Sequence, residues 1–145
     1  MTEHEGIKPR LDYLIVCDAV AMGPDGRKTL YGVFDKLVFF RFPALYPQCC
    51  IVSRWAYGAG SHALRVRILD SDNQVVFDPK VDCKFELKDP LTSAEIVLTV
   101  QGLRFPKPST YTIEITLDGH VETEQKYLRV EQIQPQKNFP PSAQG

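Results

Sequence analysis

The stretch YTIEITLDGH, residues 111–120, contains both of the signals that decide the fold. Every second residue from Tyr111 to Leu117 is apolar, and the residues between them are Thr or Glu. A period of two with one apolar face is typical of a strand that covers a core on one side. The dipeptide Asp118-Gly119 then favours a two-residue hairpin turn, because both turn positions need positive φ.

The same alternation recurs on both sides of this stretch, in HALRVRILD (62–70), VDCKFELK (81–88) and SAEIVLTVQ (93–101). Turn signals separate the runs, among them GPDGRK at 23–28 and SDNQ at 71–74. No segment shows the apolar spacing of a helix. The pattern therefore predicts an all-β chain with little or no helix, folded as a single antiparallel β-sandwich of eight or nine strands. The predicted strands are 11–20, 29–34, 37–41, 48–57, 62–70, 75–87 (interrupted at Asp78-Pro79), 93–101, 110–117 and 121–130.

Length and composition indicate one domain. The chain has 145 residues, 43% of them apolar and 24% charged, which is enough for a core without disulfides or metal. We expect a flexible N-terminus at 1–10, the β-sandwich domain at 11–133 and a disordered tail at 134–145, where Pro, Gln and Ser dominate.

The distribution of charge and of apolar residues indicates which classes of partner this chain does not bind. Net charge is −1 and the charges are interspersed, whereas nucleic-acid binders usually show a clustered basic face. The first ten residues contain no apolar run, and no window is long and apolar enough to span a membrane. We therefore expect a cytoplasmic protein that binds neither nucleic acid nor membrane.

The cysteines carry no metal signature. Cys17, Cys49, Cys50 and Cys83 lack the paired spacing of a zinc ribbon, and each lies in an apolar run where a free thiol behaves as a small buried side chain. The run DSDN, 70–73, offers oxygen ligands for calcium, but backbone capping in a tight turn explains the same residues. We predict no metal and no cofactor.

Catalytic groups are sparse. His4 lies in the N-terminal segment, while His62 and His120 fall in predicted turns as polar turn residues. A Cys50–His62 pair offers a nucleophile and a base, but nothing in the spacing selects it. No nucleophile elbow, P-loop or dinucleotide fingerprint occurs. We expect no enzymatic activity.

The segment KLVFF, residues 36–40, is a dense β-former with Leu37 and Phe39 on one face and Val38 and Phe40 on the other. Charges flank it on both sides, and Pro43 follows, which is typical of a guarded hydrophobic strand. We predict that both faces are buried within the monomer; in the alternative, one aromatic face contacts a partner. LDYLIVCDAV, 11–20, is likewise apolar on both faces and predicts a strand that is either covered on both sides or placed at a subunit contact.

The aromatic residues leave two interpretations open. Trp55 alternates with Ser53 and Tyr57 and forms either a core anchor or, if it faces outward, a platform for sugar or protein. Tyr46, bracketed by prolines, is expected to be exposed. Tyr111 follows a Pro-rich approach and resembles the tyrosine corner of Greek-key sandwiches. The candidate binding residues are Phe39, Phe40, Arg41, Tyr46, Arg54, Trp55 and Tyr57.

Several motifs together resemble those of an uncharacterised family of small bacterial proteins, a domain of unknown function. They are Asp18 after a hydrophobic strand, the GPDGRK turn, GVFD at 32–35, Phe42-Pro43, and the ending FPKPSTYTIEITLDG, where Pro108-Ser109 replaces the family's Pro-Gly. The resemblance implies a bacterial, cytosolic, all-β protein over about residues 11–130 and supplies no activity. By architecture the pattern is also similar to immunoglobulin-like and C2-like sandwiches, and architecture does not imply function.

These features predict a non-enzymatic interaction or assembly module. We expect it to self-associate, as a homodimer, through an edge strand or the aromatic segment 37–42. The alternative is a domain that binds a small ligand or carbohydrate through Tyr46, Arg54, Trp55 and Tyr57.

Overall fold

Strands supply all the regular secondary structure of the computed structural model, which describes residues 6–123 and 125–134. The predicted all-β class is confirmed. Within these residues no helix is long and apolar enough to cross a membrane. The strands are β1 (Arg10–Cys17), β2 (Ala19–Met22), β3 (Lys28–Tyr31), β4 (Lys36–Phe39), β5 (Ala44–Ala56), β6 (Gly60–Leu69), β7 (Val75–Phe77), β8 (Cys83–Leu87), β9 (Ser93–Phe105), β10 (Ser109–Leu117), β11 (His120–Val121) and β12 (Lys126–Gln132).

The strands form three sheets. β1-β5-β9 is a three-stranded sheet, and β4-β12-β10-β6-β7 is the backbone of a seven-stranded sheet in which β8 also pairs with β6 and β11 with β10. β2 and β3 form a separate hairpin. The described residues form twelve strands instead of the predicted eight or nine, partly because the run 11–20 breaks at Asp18 into β1 and β2. The prediction of purely antiparallel pairing is wrong at one place, since β4 runs parallel to β12.

The hairpin after β10 has the predicted geometry. Asp118 and Gly119 have φ of 52° and 82°, the positive values that the Asp-Gly dipeptide favours. The alternating residues from Tyr111 to Leu117 are buried, and β10 pairs with β6 on one side and β12 on the other. These two pairings place β10 at the centre of the larger sheet.

The two larger sheets bury their apolar faces in one shared cluster. From the smaller sheet come Leu14, Val16, Cys49, Ile51, Trp55, Val100, Leu103 and Phe105; from the larger come Leu64, Val66, Ile68, Tyr111, Ile113, Ile115, Leu117, Leu128 and Val130. Burial of apolar surface on this scale is the main favourable term in folding.

A second, smaller cluster lies on the other side of the three-stranded sheet. Cys17, Cys50 and Val52 are buried there, and Val20 and Leu30 of the β2–β3 hairpin pack against them. The hairpin thus covers the second apolar face of β1, as the run 11–20 predicts. Cys83, by contrast, is exposed, so the expectation that every cysteine is buried is wrong for this residue.

The segment GVFD, 32–35, carries the chain from one sheet to the other. The Phe34 amide donates to Val16 O of β1 (2.9 Å), and the next residue, Asp35, accepts from the Arg129 amide of the larger sheet (3.0 Å). Gly32 has φ of 66°, and a Cβ placed on it would lie 2.4 Å from Asp18 Oδ2. Only glycine fits this close approach. The crossover delivers β4 to the edge of the larger sheet.

Tyr111 makes the contact expected from its resemblance to a tyrosine corner. Its ring is fully buried, and its hydroxyl donates to Lys107 O at 2.5 Å, four residues upstream. The contact closes the connection between β9 and β10.

The predicted terminal segments fall largely outside the described residues. Residues 1–5 of the expected flexible N-terminus and 135–145 of the expected disordered tail belong there. Ile7 pairs with Ala59 through amide–carbonyl bonds of 3.1 and 2.9 Å. The division into a domain at 11–133 with flanking segments stays a prediction.

Candidate functional site

β4 forms one edge of the larger sheet. Among the described residues, β12 is the only strand that pairs with it. Asp35 O accepts from the Arg129 amide and Phe39 O from the Ile133 amide, both at 3.0 Å. Since backbone groups alternate sides along a strand, those of Lys36 and Val38 point away from β12. The strand therefore presents an open row of donors and acceptors, the kind of edge that pairs readily with another strand.

The inward face of β4 is packed. Leu37 and Phe39 are half-buried against the main core, and the Phe39 ring centroid lies 5.8 Å from Phe42 and 6.1 Å from Phe105. The peptide bond between Phe42 and Pro43 is cis. These contacts hold the edge strand in a defined position.

The outward face of β4 is open. Val38, Phe40 and the neighbouring Ile133 are 41%, 57% and 42% exposed. The prediction that both faces are buried within the monomer is therefore wrong for this segment: none of the described residues forms a layer over the larger sheet here, whereas the β2–β3 hairpin covers the outer face of β1. The exposed Phe40 is compatible with the alternative, in which one aromatic face contacts a partner, and that contact stays a prediction. We call Lys36, Val38, Phe40 and Ile133, with the free backbone edge of β4, the β4 edge surface.

Charged and polar groups border this surface. Lys36 Nζ lies 3.3 Å from Glu131 Oε1, and the Gln132 side chain donates to Phe40 O at 3.0 Å. Asp35 and Arg41, the charges that flank the segment, are both exposed. The sequence predicts Phe40 and Arg41 as binding residues of this surface and its border. It does not indicate Ile133 and Gln132, because no local pattern shows that β12 runs beside β4.

Tyr46 is not the exposed aromatic that its flanking prolines suggest. It lies in β5, half-buried, and its hydroxyl donates to the Asp18 carboxylate. Its ring contacts those of Phe34 and Phe39, at centroid distances of 5.4 and 6.5 Å. Burial and the hydrogen bond to Asp18 raise the pKa of Tyr46 to about 12. Tyr46 therefore links β5 to Asp18, which directly precedes β2, and its ring packs against Phe39.

The side chains of the other residues predicted to form a binding platform, Arg54, Trp55 and Tyr57, lie on different faces of the molecule. Trp55 is fully buried and its Nε1 donates to Ser53 Oγ at 3.1 Å, which is the core alternative of the two that the sequence left open. β5 ends at Ala56, and Tyr57 has φ of 64°, so its exposed ring does not share the face of Trp55. The Arg54 side chain pairs with Asp12 at 2.7 Å on the opposite face. The four aromatic and basic residues therefore do not converge on one platform.

His62 is buried, contrary to its interpretation as a polar turn residue, because β6 begins at Gly60 and directs the ring inward. Its Nδ1 lies 2.7 Å from Asp118 Oδ2 and its Nε2 2.8 Å from Ala59 O. Burial alone raises the pKa of Asp118, but hydrogen bonds from the His62 ring and the Ala63 amide outweigh it and hold the pKa below its usual value.

An open depression of about 560 Å³ lies beside this pair, lined also by Lys84 and Glu86. Both ring nitrogens of His62 are engaged, and Cys50 lies in the second cluster with its Sγ 3.8 Å from Thr99 Oγ1. The structure therefore does not bring Cys50 and His62 together as nucleophile and base.

The DSDN turn is explained by capping. Asp70 is buried, and its Oδ1 accepts from the amides of Asp72 and Gln74 at 2.8 and 2.9 Å. In the part of the chain that the structure describes, no group of three or more His, Cys, Asp or Glu side chains is placed to hold a metal ion.

Comparisons with known proteins add a family but no activity. The sequence model of a family of unknown function, DUF6941, matches residues 12–131. No curated protein matches the chain. Among solved structures, the sensor domain of the anti-sigma factor RsgI4 of Pseudobacteroides cellulosolvens is 15% identical with a TM-score of 0.39, over 67% of this chain and 95% of that one. A likeness at this level does not assign a common architecture.

Proposed function

The chain belongs to DUF6941, a family of unknown function, and from that premise we propose that it is a non-enzymatic interaction module that self-associates by pairing β4 with β4 of a second copy. The single observation that carries this proposal is the free backbone edge of β4 beside the exposed Val38 and Phe40. An unpaired strand edge next to exposed apolar side chains is a ready template for another strand.

The segment Asp35–Arg41, DKLVFFR, is complementary to itself. In an antiparallel pair with its two-fold axis at Val38, Val38 lies opposite its own copy and Leu37 lies opposite Phe39. Lys36 lies opposite Phe40, and Asp35 opposite Arg41. Apolar residues meet apolar residues, a cation meets an aromatic ring, and opposite charges meet at both ends, each of which stabilises a cross-strand pair. The charges that guard the free edge thus become partners in the dimer.

The backbone geometry fits the same register. The amides and carbonyls of Lys36 and Val38 already point away from β12. Val38 then exchanges both hydrogen bonds with Val38 of the other copy, whereas Leu37 and Phe39 form a non-hydrogen-bonded pair. The seven-stranded sheets of the two copies become one continuous sheet. Such an isologous two-fold contact is the commonest form of homodimer. Edge pairing buries less than about 1,200 Å², the size of transient contacts, so we expect a dissociation constant on the order of 10 μM.

Charge reversal tests the register. Asp35→Arg places Arg opposite Arg41 of the other copy, and Arg41→Asp places two carboxylates together, so each single variant is expected to weaken the dimer. The double variant restores opposite charges and is expected to recover it. Sedimentation velocity measures the mass against the 16.4 kDa of one chain. Glu86→Arg, an exposed reversal on β8, is the matched control.

Two results contradict the proposal. A wild-type chain that stays monomeric up to about 200 μM, far above the expected dissociation constant, excludes self-association as the function. A wild-type dimer whose affinity neither Asp35→Arg nor Arg41→Asp weakens would place the contact elsewhere on the chain.

We also infer the setting of this module. The interspersed charges and the net charge of −1 support a cytoplasmic protein partner without nucleic acid or membrane. Capping at Asp70 and the engaged nitrogens of His62 support a module without metal, cofactor or catalysis. The shared buried cluster supports reading the two larger sheets as the layers of one β-sandwich.

A further inference from the structure

A small cavity lies between the two larger sheets, at the side of the molecule where β9 and β7–β8 are the outer strands. Its volume is about 80 Å³. Its walls are Ile51, Ile96 and Leu98 from one sheet and Leu64 and Val66 from the other. Pro79, Val81, Asp82, Cys83 and Ser53 complete the lining. The cavity lining is therefore apolar apart from Ser53, Asp82 and the thiol of Cys83.

The cavity opens where the outer strand is interrupted. β7 pairs with Ile68 and Leu69 of β6, and β8 pairs with Gly60 to Leu64. Between them, the residues of β6 pair with β10 on one side, and no strand of the described residues pairs with them on the other side. The linking segment 78–82 crosses this gap, and Lys80 within it has φ of 67°. Val81, which lines the cavity, is 69% exposed. A wall residue that is also exposed to solvent marks the mouth.

Ser53 supplies the polar group inside. It is 2% exposed, and its Oγ accepts from Trp55 Nε1 at 3.1 Å. The bond from Trp55 satisfies the Ser53 oxygen, and among the described residues no acceptor is bonded to the hydroxyl hydrogen, which can rotate to donate. A buried hydroxyl that can donate into a mostly apolar cavity, which Asp82 also lines, is the kind of group that orients a small ligand.

We propose that this cavity binds a small apolar molecule with one hydrogen-bond acceptor, with its carbon chain between the sheets and its acceptor oxygen on the Ser53 hydroxyl. The volume is about half of the roughly 150 Å³ that holds a benzene, which limits the bound part to about three to five heavy atoms. A short ketone, ester or aldehyde has this chemistry. The site lies on a different edge of the fold from β4 and is independent of self-association.

The test is a titration of the full chain with 2-butanone, followed by methyl NMR. We expect saturable shifts confined to methyl groups of Ile51, Ile96 and Leu98, with a millimolar dissociation constant because a ligand of about five heavy atoms makes few contacts. Leu98→Phe fills the cavity from a half-buried position and is expected to abolish these shifts. Xenon, which has no acceptor, serves as the second probe.

Ser53→Ala tests the contribution of the Ser53 hydrogen bond separately from the contribution of the cavity volume. Removing one hydroxyl donor is expected to weaken 2-butanone about 2- to 12-fold and to leave xenon unchanged. Ser53→Ala also removes the acceptor of the Trp55 Nε1 hydrogen bond, so the tryptophan emission of the variant is measured first to check that it is folded. If Ser53→Ala unfolds, Ser53→Cys takes its place, because the thiol keeps a weak donor. Val38→Pro, a substitution on the distant β4 edge that is expected to weaken self-association, should leave the affinity for 2-butanone unchanged.

Three outcomes overturn the proposal. Shifts that do not saturate, or that persist in Leu98→Phe, place the ketone outside the cavity. An equal loss of 2-butanone and xenon in the Ser53 variant shows that the hydroxyl shapes the cavity and donates nothing. Cys83 gives an independent readout, since it is exposed at the mouth while the other cysteines are buried: alkylation that 2-butanone does not slow in the wild type contradicts binding there.

Discussion

Proline at position 38 removes the one backbone amide that lies at the two-fold axis of the proposed β4 pair. In the dimer each Val38 amide donates to the Val38 carbonyl of the other copy, so Val38→Pro deletes two hydrogen bonds and leaves two carbonyls without donors. At roughly 1 to 2 kcal/mol for each, the loss is about 2 to 4 kcal/mol. The dissociation constant then rises roughly 30- to 700-fold, at 1.4 kcal/mol for each tenfold change.

The monomer should tolerate the change. The Val38 amide points away from β12, since the bonds of this pair run from Arg129 to Asp35 and from Ile133 to Phe39. Proline is accepted on an edge strand whose N–H faces solvent. The free energy of unfolding in urea is therefore expected to change by less than about 1 kcal/mol.

Sedimentation velocity over a concentration series measures the dissociation constant. Val38→Ala, which trims the side chain and keeps the amide, is the matched control and should weaken the dimer much less. A Val38→Pro chain that dimerises with wild-type affinity would refute pairing through this edge. A chain that unfolds would show that the amide is bound to β12, and the derived orientation of β4 would be wrong.

Two further predictions concern the monomer. Tyr111→Phe removes the buried hydroxyl that donates to Lys107 O, and we expect a loss of about 1 to 2 kcal/mol in urea unfolding; Tyr127→Phe, at a ring that is 55% exposed, is the control and should change little. Because the folded pKa of Asp118 is lowered, its contribution to stability is present above the unfolded pKa of about 3.9 and is lost as pH falls through the folded pKa. Wild type should thus exceed Asp118→Asn in stability at pH 6, and the gap should close below about pH 4; a gap that is constant with pH would mean that the carboxylate charge plays no part.

Local signals account for most of the fold. The alternation in β6, β9 and β10 and the Asp-Gly turn at 118–119 are set by neighbouring residues, because a strand with one buried face must alternate. The run 11–20, which is apolar on both faces, also indicated that something packs against its second face. In the structure that element is the β2–β3 hairpin. These elements follow from sequence patterns of ten residues or fewer.

The pairing of β4 could not be predicted in this way. A parallel partner requires a long crossover, and Gln132 lies 92 positions beyond Phe40. Without that partner, the sequence cannot say which face of KLVFF is covered. Similarly, the side chain of Tyr57 does not lie on the same strand face as Trp55, because Tyr57 has a positive φ of 64°. The sequence YGAG is compatible with this backbone angle but does not predict it.

The crossover at GVFD also bears on the order in which the chain folds. During synthesis β4 emerges early, but its only neighbour in the described chain, β12, lies near the end of the domain. Until β12 arrives, KLVFF has two open edges and no anchor for its inward face, and such segments aggregate when left exposed. The flanking charges of Asp35 and Arg41 reduce this hazard in the nascent chain, and the proposed pairing of two β4 strands requires β12 to be in place first.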